Sequence, residues 1–361
     1  MTMEPRVTLR CLIEDLTSGW TNADHQRAAS SLGNLVSKHF ADEISKSQLA
    51  RHVRVFPRLN ALSHPLLRHF SNHFTSEYDP SKLESISGLS NPHWWKQKTQ
   101  QWRGAVTDHS SVSSDSAWLC AAGIRRDGDN SDFYKSFMYQ VSNNGPSSFL
   151  PAKADKLLLE IDEKITAQDA WYLQIHCSTL ALLAEARRHV GKTVTMEFTK
   201  PSRFSESEPI GSLSVSIIGR IKEGATELDE VFLAATILNE AEVASVDLAG
   251  QYARAAIDDD AEAWTSTTYV ENSYAFSAIV PPSAIDNAEL LETNHELPLD
   301  FQPLGLRIGL RSHYTYKDGI VNAQVEGSAI KSLCGYWFVP ITDHENVEKC
   351  PRCVQRHKQL M

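Results

Sequence analysis

Three of the chain's six cysteines lie within the 22 residues SLCGYWFVPITDHENVEKCPRC, positions 332 to 353. Six cysteines in 361 residues are too few for the disulfide framework of a small secreted protein. Closely spaced thiols in a reducing compartment are more often metal ligands. Cys350 and Cys353 form a CxxC pair, and Cys334 is followed directly by Gly335, whose freedom at positive φ suits a tight turn. The spacing predicts a zinc ribbon-like module in which such turns direct thiolates to a tetrahedral ion.

The first of these turns lacks a second cysteine, because Lys331 occupies the position three residues earlier. A tetrahedral site therefore needs a ligand from elsewhere, and three histidines are candidates: His313, His344 and His357. His313 is expected on a strand that crosses to the turn, and this geometry favours it. His357 follows Cys353 by four residues and would face the same way on a helix, and His344 lies in the loop between the turns, so both remain alternatives.

The segment before the cysteines, GLRIGLRSHYTYKDGIV, contains Asp318-Gly319 between two β-rich runs. An Asp-Gly pair in this setting is a strong hairpin signal, because both central turn positions require positive φ. We therefore expect a β-hairpin to lead directly into the cysteine segment.

A longer pattern runs through this region. It consists of His313-Tyr314, Lys317, Ile320, Ala323, Val325, Gly327, Leu333-Cys334-Gly335, Trp337 or Phe338, Val339-Pro340, Asp343, Glu345 and Cys350-Pro351-x-Cys353. The pattern, about 45 residues long, resembles a small actinobacterial family of unknown function with the signature H…CGxxWVPxxDPE…CPxC. The resemblance implies zinc binding by His313, Cys334, Cys350 and Cys353, and it implies no activity. The chain departs from the signature at His344, where the family has Pro, and in its Asp-Gly turn.

The predicted ligand set favours a structural ion over a catalytic one. Three thiolates and one imidazole fill a tetrahedron, and three anionic sulfurs make the metal a poor Lewis acid. Glu345 and Glu348 lie close in sequence, but acids in a loop between two such turns are expected to be solvated.

Charge is distributed unevenly along the chain, whose net charge is −10. Residues 51–104 hold eight Lys/Arg against three Asp/Glu, a net charge of +5. Residues 206–300 hold three Lys/Arg against 19 Asp/Glu, a net charge of −16. This asymmetry is compatible with two parts that face different partners or each other, and also with the solvated faces of two ordinary domains.

One basic segment, HWWKQKTQQWRG, interleaves tryptophans with cations, a mixture that stacks bases and neutralises phosphates. Helical packing of the tryptophans is at least as good an interpretation. Together with the later Arg-Arg pair, the nucleic-acid candidates are Trp94, Trp95, Lys96, Lys98, Trp102, Arg103, Arg125 and Arg126.

An enzymatic alternative uses the same region. The runs WRGAV, AWLCAAGIRRDG and DFY resemble in outline the small β-sheet toxins that cut messenger RNA, in which basic and tyrosine side chains on a sheet stabilise the departing phosphate. The resemblance implies Arg103, His109, Arg125, Arg126 and Tyr134 as the working residues of a toxin-like nuclease.

The fold class is predicted as multidomain α+β, with a helical N-terminal region, a central mixed α/β-sheet domain and a C-terminal β-hairpin zinc ribbon-like module. The predicted parts are a helical region at 1–90, a small α+β unit at 91–150, an acidic α+β domain at 151–300 and the zinc module at 301–361. The segment SNNGPSSFLP, 142–151, is the best linker because it is rich in Gly, Pro, Asn and Ser.

Several local signals fill in this outline. WRGAV and AWLCAAGI predict a hairpin with a long loop, and Asp132 is placed to cap a short helix. Thr166 with Asp169 resembles a capping box that opens a helix from 167 to 189, ended by a left-handed Gly191. The runs TVTMEF, SLSVSIIGRI, EVFLAATI and SYAFSAIV predict strands.

Two further cysteines and one acidic run are interpreted as structural and not as functional. Cys120 and Cys177 lie in apolar surroundings and are expected to be small core residues. The run Asp258-Asp259-Asp260 is interpreted as a solvated helix end rather than a magnesium site, because its side chains point in different directions on a helix.

No run reaches the roughly 18 apolar residues that a membrane-spanning helix needs, and charged residues interrupt the start, MTMEPRVTLRCLIEDL. We therefore expect a cytoplasmic protein without a membrane partner. The favoured function is a zinc-stabilised binding or scaffold protein that recognises a protein or nucleic-acid partner, with regulation or phage defence as its setting. The alternative is the nuclease.

Overall fold

The computed structural model of the chain describes residues 4–75, 83–89, 91–108, 116–126, 128–129, 131–201, 208–223, 226–266, 272–280, 305–307, 310–317, 319–340 and 347–360. Contacts divide the chain into two compact units, Met1–Thr166 and Ala167–Met361. Within the described part of the chain, no helix combines the length and the apolar character that crossing a membrane requires.

Unit 1 combines helices with a four-stranded sheet. Strand β1 runs parallel to β4, and β4, β3 and β2 are antiparallel neighbours, so that the strand order is β1-β4-β3-β2. The elements are β1 Glu4–Val7, α1 Ala23–Phe40, α2 Lys46–Val55, α3 Pro65–Thr75, β2 Trp95–Thr99, β3 Trp102–Thr107, β4 Ser116–Ile124, α4 Phe133–Asn144 and the first part of α5 Lys153–Arg188, whose residues from Ala167 onward belong to unit 2. The predicted hairpin of WRGAV with AWLCAAGI is confirmed as β3 and β4.

Side-chain caps begin the shorter helices where the sequence predicts them. The carboxylate of Asp132 accepts a hydrogen bond from the Tyr134 amide at the start of α4, which confirms the predicted cap. Ser45 and Gln48 form a capping box at the start of α2.

The sheet of unit 1 buries side chains on both faces. Because successive strand residues point to opposite faces, the adjacent Trp94 and Trp95 enter different cores. Trp94 packs with Phe137 of α4 at a ring-centroid distance of 5.0 Å, and Trp95 belongs to the cluster that includes Leu66 and Phe70 of α3. The all-buried pattern of β3 follows from this two-sided covering.

Helix α5 begins 14 residues earlier than predicted, at Lys153 instead of Ala167. Thr166 therefore lies inside the helix, and its predicted capping box is wrong. The actual start is fixed by Asp155, whose carboxylate accepts hydrogen bonds from the amides of Ala152 and Leu9 at 2.7 and 2.6 Å. The helix ends at Arg188, and Gly191 adopts φ +86° as the predicted terminator requires.

Unit 2 is built on a five-stranded antiparallel sheet with the order β5-β6-β7-β9-β8. Its cluster of buried side chains joins the sheet to α5 and α6, with Ile175, Leu213 and Val246 all fully buried. The elements are β5 Thr193–Phe198, β6 Gly211–Glu223, β7 Thr226–Ile237, α6 Val243–Ile257, β8 Trp264–Ser266 and β9 Ser273–Val280. The four strands predicted for this part of the chain are confirmed.

The described residues of the C-terminal part of unit 2 form short strands and two helices. Strand β10 pairs in parallel with β13, and β11 pairs antiparallel with β12. The elements are β10 Arg311–Ser312, α7 Ile320–Glu326, β11 Ile330–Lys331, β12 Trp337–Phe338, β13 Glu348–Lys349 and α8 Pro351–Leu360. We call residues 310–360 the C-terminal module.

The hairpin predicted at Asp318-Gly319 is wrong. Asp318 lies outside the described residues, but Gly319 adopts φ +90° at the N-cap of α7, so the chain enters a helix there. A glycine at positive φ serves a helix start as well as a hairpin turn. The hairpin of the module is formed instead by β11 and β12, on either side of Cys334.

The observed class is the predicted α+β class, with helices mostly N-terminal, sheets central, and a C-terminal strand region that carries a Cys/His cluster. The four-part division of the chain stays a prediction. Within the proposed linker 142–151, α4 continues to Asn144 and Phe149 is buried in the core of unit 1.

Two interpretations of single groups are wrong and one is confirmed. Cys120 is buried as predicted, whereas Cys177 is exposed on α5. The predicted solvation of Asp260 is also wrong, because this residue is 1% exposed and forms an ion pair with Arg311 at 3.0 Å. The end of α6 therefore faces other parts of unit 2.

Candidate metal centre

Four side chains of the C-terminal module converge on one point: His313, Cys334, Cys350 and Cys353. Each offers one ligand atom, and all four atoms lie within 4.8 Å of one another. His313 Nδ1 lies 3.4 Å from the sulfur of Cys334 and 3.6 Å from that of Cys353. Zinc bonds of about 2.3 Å to sulfur and about 2.0 Å to nitrogen would place tetrahedral neighbours roughly 3.5 Å apart. The donor set therefore fits a tetrahedral ion.

The turn at Cys334 is a tight reversal between β11 and β12. Gly335 adopts φ +95°, a backbone conformation that residues other than glycine rarely adopt. Its amide donates a hydrogen bond to the Ser332 carbonyl at 3.0 Å. The Ser332 amide donates in return to the Tyr336 carbonyl at 2.8 Å. This closed turn presents the Cys334 sulfur towards His313.

The second pair of thiols is placed by β13 and the start of α8. The Cys350 amide donates to the Ser312 carbonyl at 2.9 Å, which ties the pair to the residue before His313. Cys353 lies in the first turn of α8 and is fully buried, and Cys350 is 6% exposed. The CxxC segment thus brings both sulfurs to the same side as the imidazole.

The other nitrogen of the imidazole is also engaged. His313 Nε2 contacts a carboxylate oxygen of Glu262, and the two side chains are only 1% and 4% exposed. With Nε2 bonded to the carboxylate, Nδ1 is the nitrogen that faces the sulfurs. A carboxylate behind a metal-binding histidine orients the ring and increases its basicity.

Aromatic rings cover the imidazole and keep water from it. The ring of Tyr336 stacks on His313 at a centroid distance of 5.3 Å, and that of Phe338 lies at 5.5 Å. The Ser332 hydroxyl lies 3.0 Å from the Cys334 sulfur and can donate to a thiolate there. The centre is consequently enclosed, with hydrogen-bond donors where negative charge would collect.

These surroundings alter the protonation of the metal-free site. Burial opposes ionisation of Cys334, but hydrogen bonds from the Ser332 hydroxyl and the Tyr336 amide lower its pKa to about 7. Burial raises the pKa of Cys353. Burial also disfavours a charged His313, but hydrogen bonds to Cys350 and Glu262 raise its pKa to about 11. Because the ligands bind metal only when deprotonated, a metal ion entering this site displaces protons.

Of the three candidate histidines, His313 is the one that the structure brings to the sulfurs. The ring of His357 stacks instead on Tyr314, at a centroid distance of 4.6 Å and an angle of 20°. His344 lies outside the described residues. Sequence reasoning missed Glu262, which is separated from His313 by 51 positions. No local spacing signals such a contact.

The tryptophans predicted to stack bases lie in the core. Trp94, Trp95 and Trp102 are 0, 6 and 3% exposed, so their ring faces are covered and do not form a stacking platform. Arg103 is buried as well, and its guanidinium donates to the carbonyls of Gln100 and Trp102 at 2.9 and 2.8 Å. The tryptophans are therefore packed in the core, as the alternative interpretation has it, but its helix is wrong because Trp95 and Trp102 lie on β2 and β3.

The remaining candidates of that region are on the surface. Lys96 and Lys98 both form ion pairs with Glu84. Arg125 and Arg126 are exposed, and the Arg126 guanidinium donates to the Ser131 hydroxyl at 3.0 Å. Nucleic-acid binding by these four cations stays a prediction.

The residues implied for a nuclease do not form an open site among the described residues. The Tyr134 hydroxyl donates to the Gln97 carbonyl at 3.1 Å, and burial raises its pKa above the ordinary value. The guanidinium of the buried Arg103 donates to the carbonyls of Gln100 and Trp102, and His109 lies outside the described residues. A tyrosine held neutral and bonded in this way is a poor proton acceptor.

Comparison with known proteins agrees with the resemblance of the C-terminal region to a family of unknown function. No curated protein and no solved structure matches the chain. One family does match, described as protein of unknown function (DUF3039), and the match covers residues 310–360. It contains all four converging ligands and excludes Glu262. The C-terminal module is therefore a domain similar to DUF3039, and the rest of the chain matches no family.

Proposed function

We propose that the converging ligands hold a structural zinc ion and that the protein is a zinc-stabilised binding or scaffold protein of the cytoplasm. The observation that carries this proposal is the convergence of three sulfurs and one imidazole nitrogen within 4.8 Å. The ion closes the C-terminal module, which presents a surface to a protein or nucleic-acid partner.

Zinc is the metal that suits this donor set best. Thiolates select soft or borderline ions, and a tetrahedral site of sulfur and nitrogen is typical of zinc. All six cysteines are free thiols, which supports a compartment in which they stay reduced.

A structural role is favoured because the four protein ligands leave no position for substrate. Catalytic zinc sites keep a water or substrate in one position and use a nearby carboxylate for proton transfer. Here Glu262, the carboxylate that contacts the cluster, is bonded to the imidazole and is only 4% exposed. It therefore orients a ligand and is not free to act as a general base.

The C-terminal module exposes several large apolar side chains. We call Tyr316, Val321, Val325 and Trp337 the recognition surface, and these side chains are 70, 67, 81 and 60% exposed. Val321 and Val325 lie four residues apart on α7 and so share a face. Exposed aromatic and aliphatic groups on one small domain are typical of interaction sites.

Basic groups adjoin the recognition surface. Lys331 is exposed and lies directly opposite Trp337 across the β11–β12 pair. The hydroxyl of Thr315, next to Tyr316, donates to the Lys331 carbonyl at 2.9 Å. An aromatic and cationic surface suits either an acidic protein or a nucleic acid, so both partner classes remain in the proposal.

Replacing Trp337 with Ala should weaken partner capture by about fivefold or more, because truncation of an aromatic anchor commonly costs about 1 kcal/mol or more of binding free energy. The measurement is quantitative co-purification of tagged full-length chain from its native host. Tyr139→Ala is the matched control, since Tyr139 is 72% exposed but lies on α4 of unit 1. If Trp337→Ala captures the same partners in the same amounts as the wild type, the recognition surface is wrongly assigned.

The nuclease alternative has a separate test. We expect the purified full-length chain to leave RNA and DNA intact, and the double variant Arg125→Ala/Arg126→Ala to behave identically, because Arg103 and Tyr134, which the nuclease would also need, are bonded within the fold. Cleavage of a labelled RNA measured on a gel decides the point. Cleavage by the wild type that disappears in the double variant would establish the nuclease instead.

A further inference from the structure

His313 contacts a residue outside the matched module, Glu262. Glu262 belongs to a short 3-10 turn, Ala261–Ala263, which precedes β8 of the acidic part of unit 2. The Asp260 carboxylate accepts from the Glu262 amide at 3.0 Å and so fixes the backbone from which the Glu262 side chain projects. Glu262 also bonds the Tyr336 side chain, which stacks on His313.

Other residues of the module also contact the stretch that contains Glu262. We call this stretch, residues 258–265, the docking segment. Arg311, two residues before His313, lies 3.0 Å from Asp260 and 3.6 Å from Asp258. On the other side, the Arg352 guanidinium, next to Cys353, donates to the Thr265 hydroxyl at 3.2 Å. Neighbours of two metal ligands therefore hold the same segment that supplies Glu262.

Arg307, which precedes the module in sequence, also contacts the docking segment. The Ala261 amide donates to the Arg307 carbonyl at 2.9 Å, and the Arg307 amide donates to the Asp259 carbonyl at 2.7 Å. The Arg307 guanidinium pairs with the Asp259 carboxylate. These bonds form a short parallel β-bridge between Asp260 and Arg307, shortly before β10 in sequence.

We infer that Glu262 is a positioning residue of the metal centre, and that the ion through Glu262 fixes the C-terminal module on the docking segment. This inference rests on the proposed zinc site and goes beyond it, because it extends the centre to a residue outside the DUF3039-like domain. The ion and the docked arrangement then stabilise each other.

The physical reason lies in the difference between buried and exposed charge. Arg307 is about half exposed, and ion pairs of that kind add little to stability. Glu262 is almost fully buried, and a buried carboxylate requires a partner. The ion holds the His313 ring with Nε2 towards Glu262, and the carboxylate in turn keeps Nδ1 directed at the metal.

The experiment compares zinc affinity in the full-length chain and in Glu262→Gln and Glu262→Ala, by competition with a chromophoric zinc chelator. We expect Glu262→Ala to lower the affinity about 10- to 100-fold, the usual effect of losing a partner behind a histidine ligand. Glu262→Gln keeps an acceptor oxygen and should lose less. Glu348→Gln is the matched control, because Glu348 is an exposed acid of the same module, and it should bind zinc as the wild type does.

Two further readouts separate positioning from a general loss of stability. The cobalt(II) form of Glu262→Ala should show altered ligand-field bands, because the imidazole that Glu262 orients is itself a ligand. Hydrogen exchange at the amides of Ala261 and Arg307 should quicken in the zinc-free wild type and in Glu262→Ala. A structural role alone would leave the cobalt spectrum of the folded variant unchanged.

The outcomes distinguish the two proposals. A wild-type chain without zinc affinity overturns the proposed zinc function itself. A wild type that binds zinc while Glu262→Ala binds it equally well, with an unchanged cobalt spectrum, overturns only the role of Glu262. Unchanged exchange at Ala261 and Arg307 on zinc removal overturns the coupling between ion and docking segment.

Discussion

The variant Cys353→Ser should lose the metal ion and unfold the C-terminal module while unit 1 stays folded. Cys353 is fully buried and its sulfur faces His313 Nδ1, so a hydroxyl there is a poor metal ligand in a site that cannot rearrange. Structural zinc sites bind with apparent free energies of about 10–16 kcal/mol, and small modules depend on that energy to fold. The short strands of the module supply little other regular structure.

Hydrogen exchange by mass spectrometry, with metal content measured on the same sample, tests this expectation. Exchange should become fast across 311–317, 330–338 and 348–357 and stay slow in β3 and β4. Cys177→Ser is the control, because Cys177 is exposed on α5 and takes no part in the cluster. A Cys353→Ser chain that keeps both its metal and its protected module would contradict the assignment of this ligand.

The second large effect is expected in the core of unit 1, where Trp94→Ala should destabilise the fold by about 3–5 kcal/mol. Trp94 is fully buried and lies edge-on to Phe137, so truncation leaves a cavity between the sheet and α4. Because a chain of two units need not unfold in one step, the suitable measurement is native-state hydrogen exchange of the β3 and β4 amides.

A matched control for this prediction is Trp337→Ala. Trp337 is 60% exposed, so its removal should change stability by only about 0.5 kcal/mol. Comparing the stability of these two variants distinguishes a tryptophan in the core from one on the surface. If Trp94→Ala leaves exchange in unit 1 unchanged and instead abolishes binding to single-stranded nucleic acid, the assignment of Trp94 to the core fails.

Local patterns predicted much of the fold. Strands rich in β-branched residues appear where expected, since side-chain alternation and turn residues act over a few positions. The cap at Asp132 and the terminator at Gly191 were predictable for the same reason. The three cysteines were predictable as a cluster because thiol spacing reflects the geometry of a metal turn, whereas spacing left the histidine open among His313, His344 and His357.

The errors occurred where one local signal is compatible with two structures. Gly319 at positive φ fits a hairpin, but here it begins α7. Thr166 resembles a helix cap, but the apolar pattern of α5 continues through it from Lys153. For α5, the start is also fixed by a distant contact, the hydrogen bond from the Leu9 amide to Asp155.

Burial and distant contacts were beyond sequence reasoning. A tryptophan next to a lysine is compatible with a base-stacking surface and also with a strand that is buried on one face. Trp94 and Trp95 are buried because helices cover both faces of the sheet, and the sequence alone does not show this. Glu262 meets His313 because β8 and the module are neighbours in unit 2. A single sequence contains no spacing that records this approach.

The most direct test of the central claim is elemental mass spectrometry of the full-length chain, purified without chelators and under reducing conditions. The ligand geometry predicts about one zinc per chain, lost together with protection of the C-terminal module when a strong chelator is added. A chain that is folded throughout residues 310–360 but carries no stoichiometric metal would contradict it.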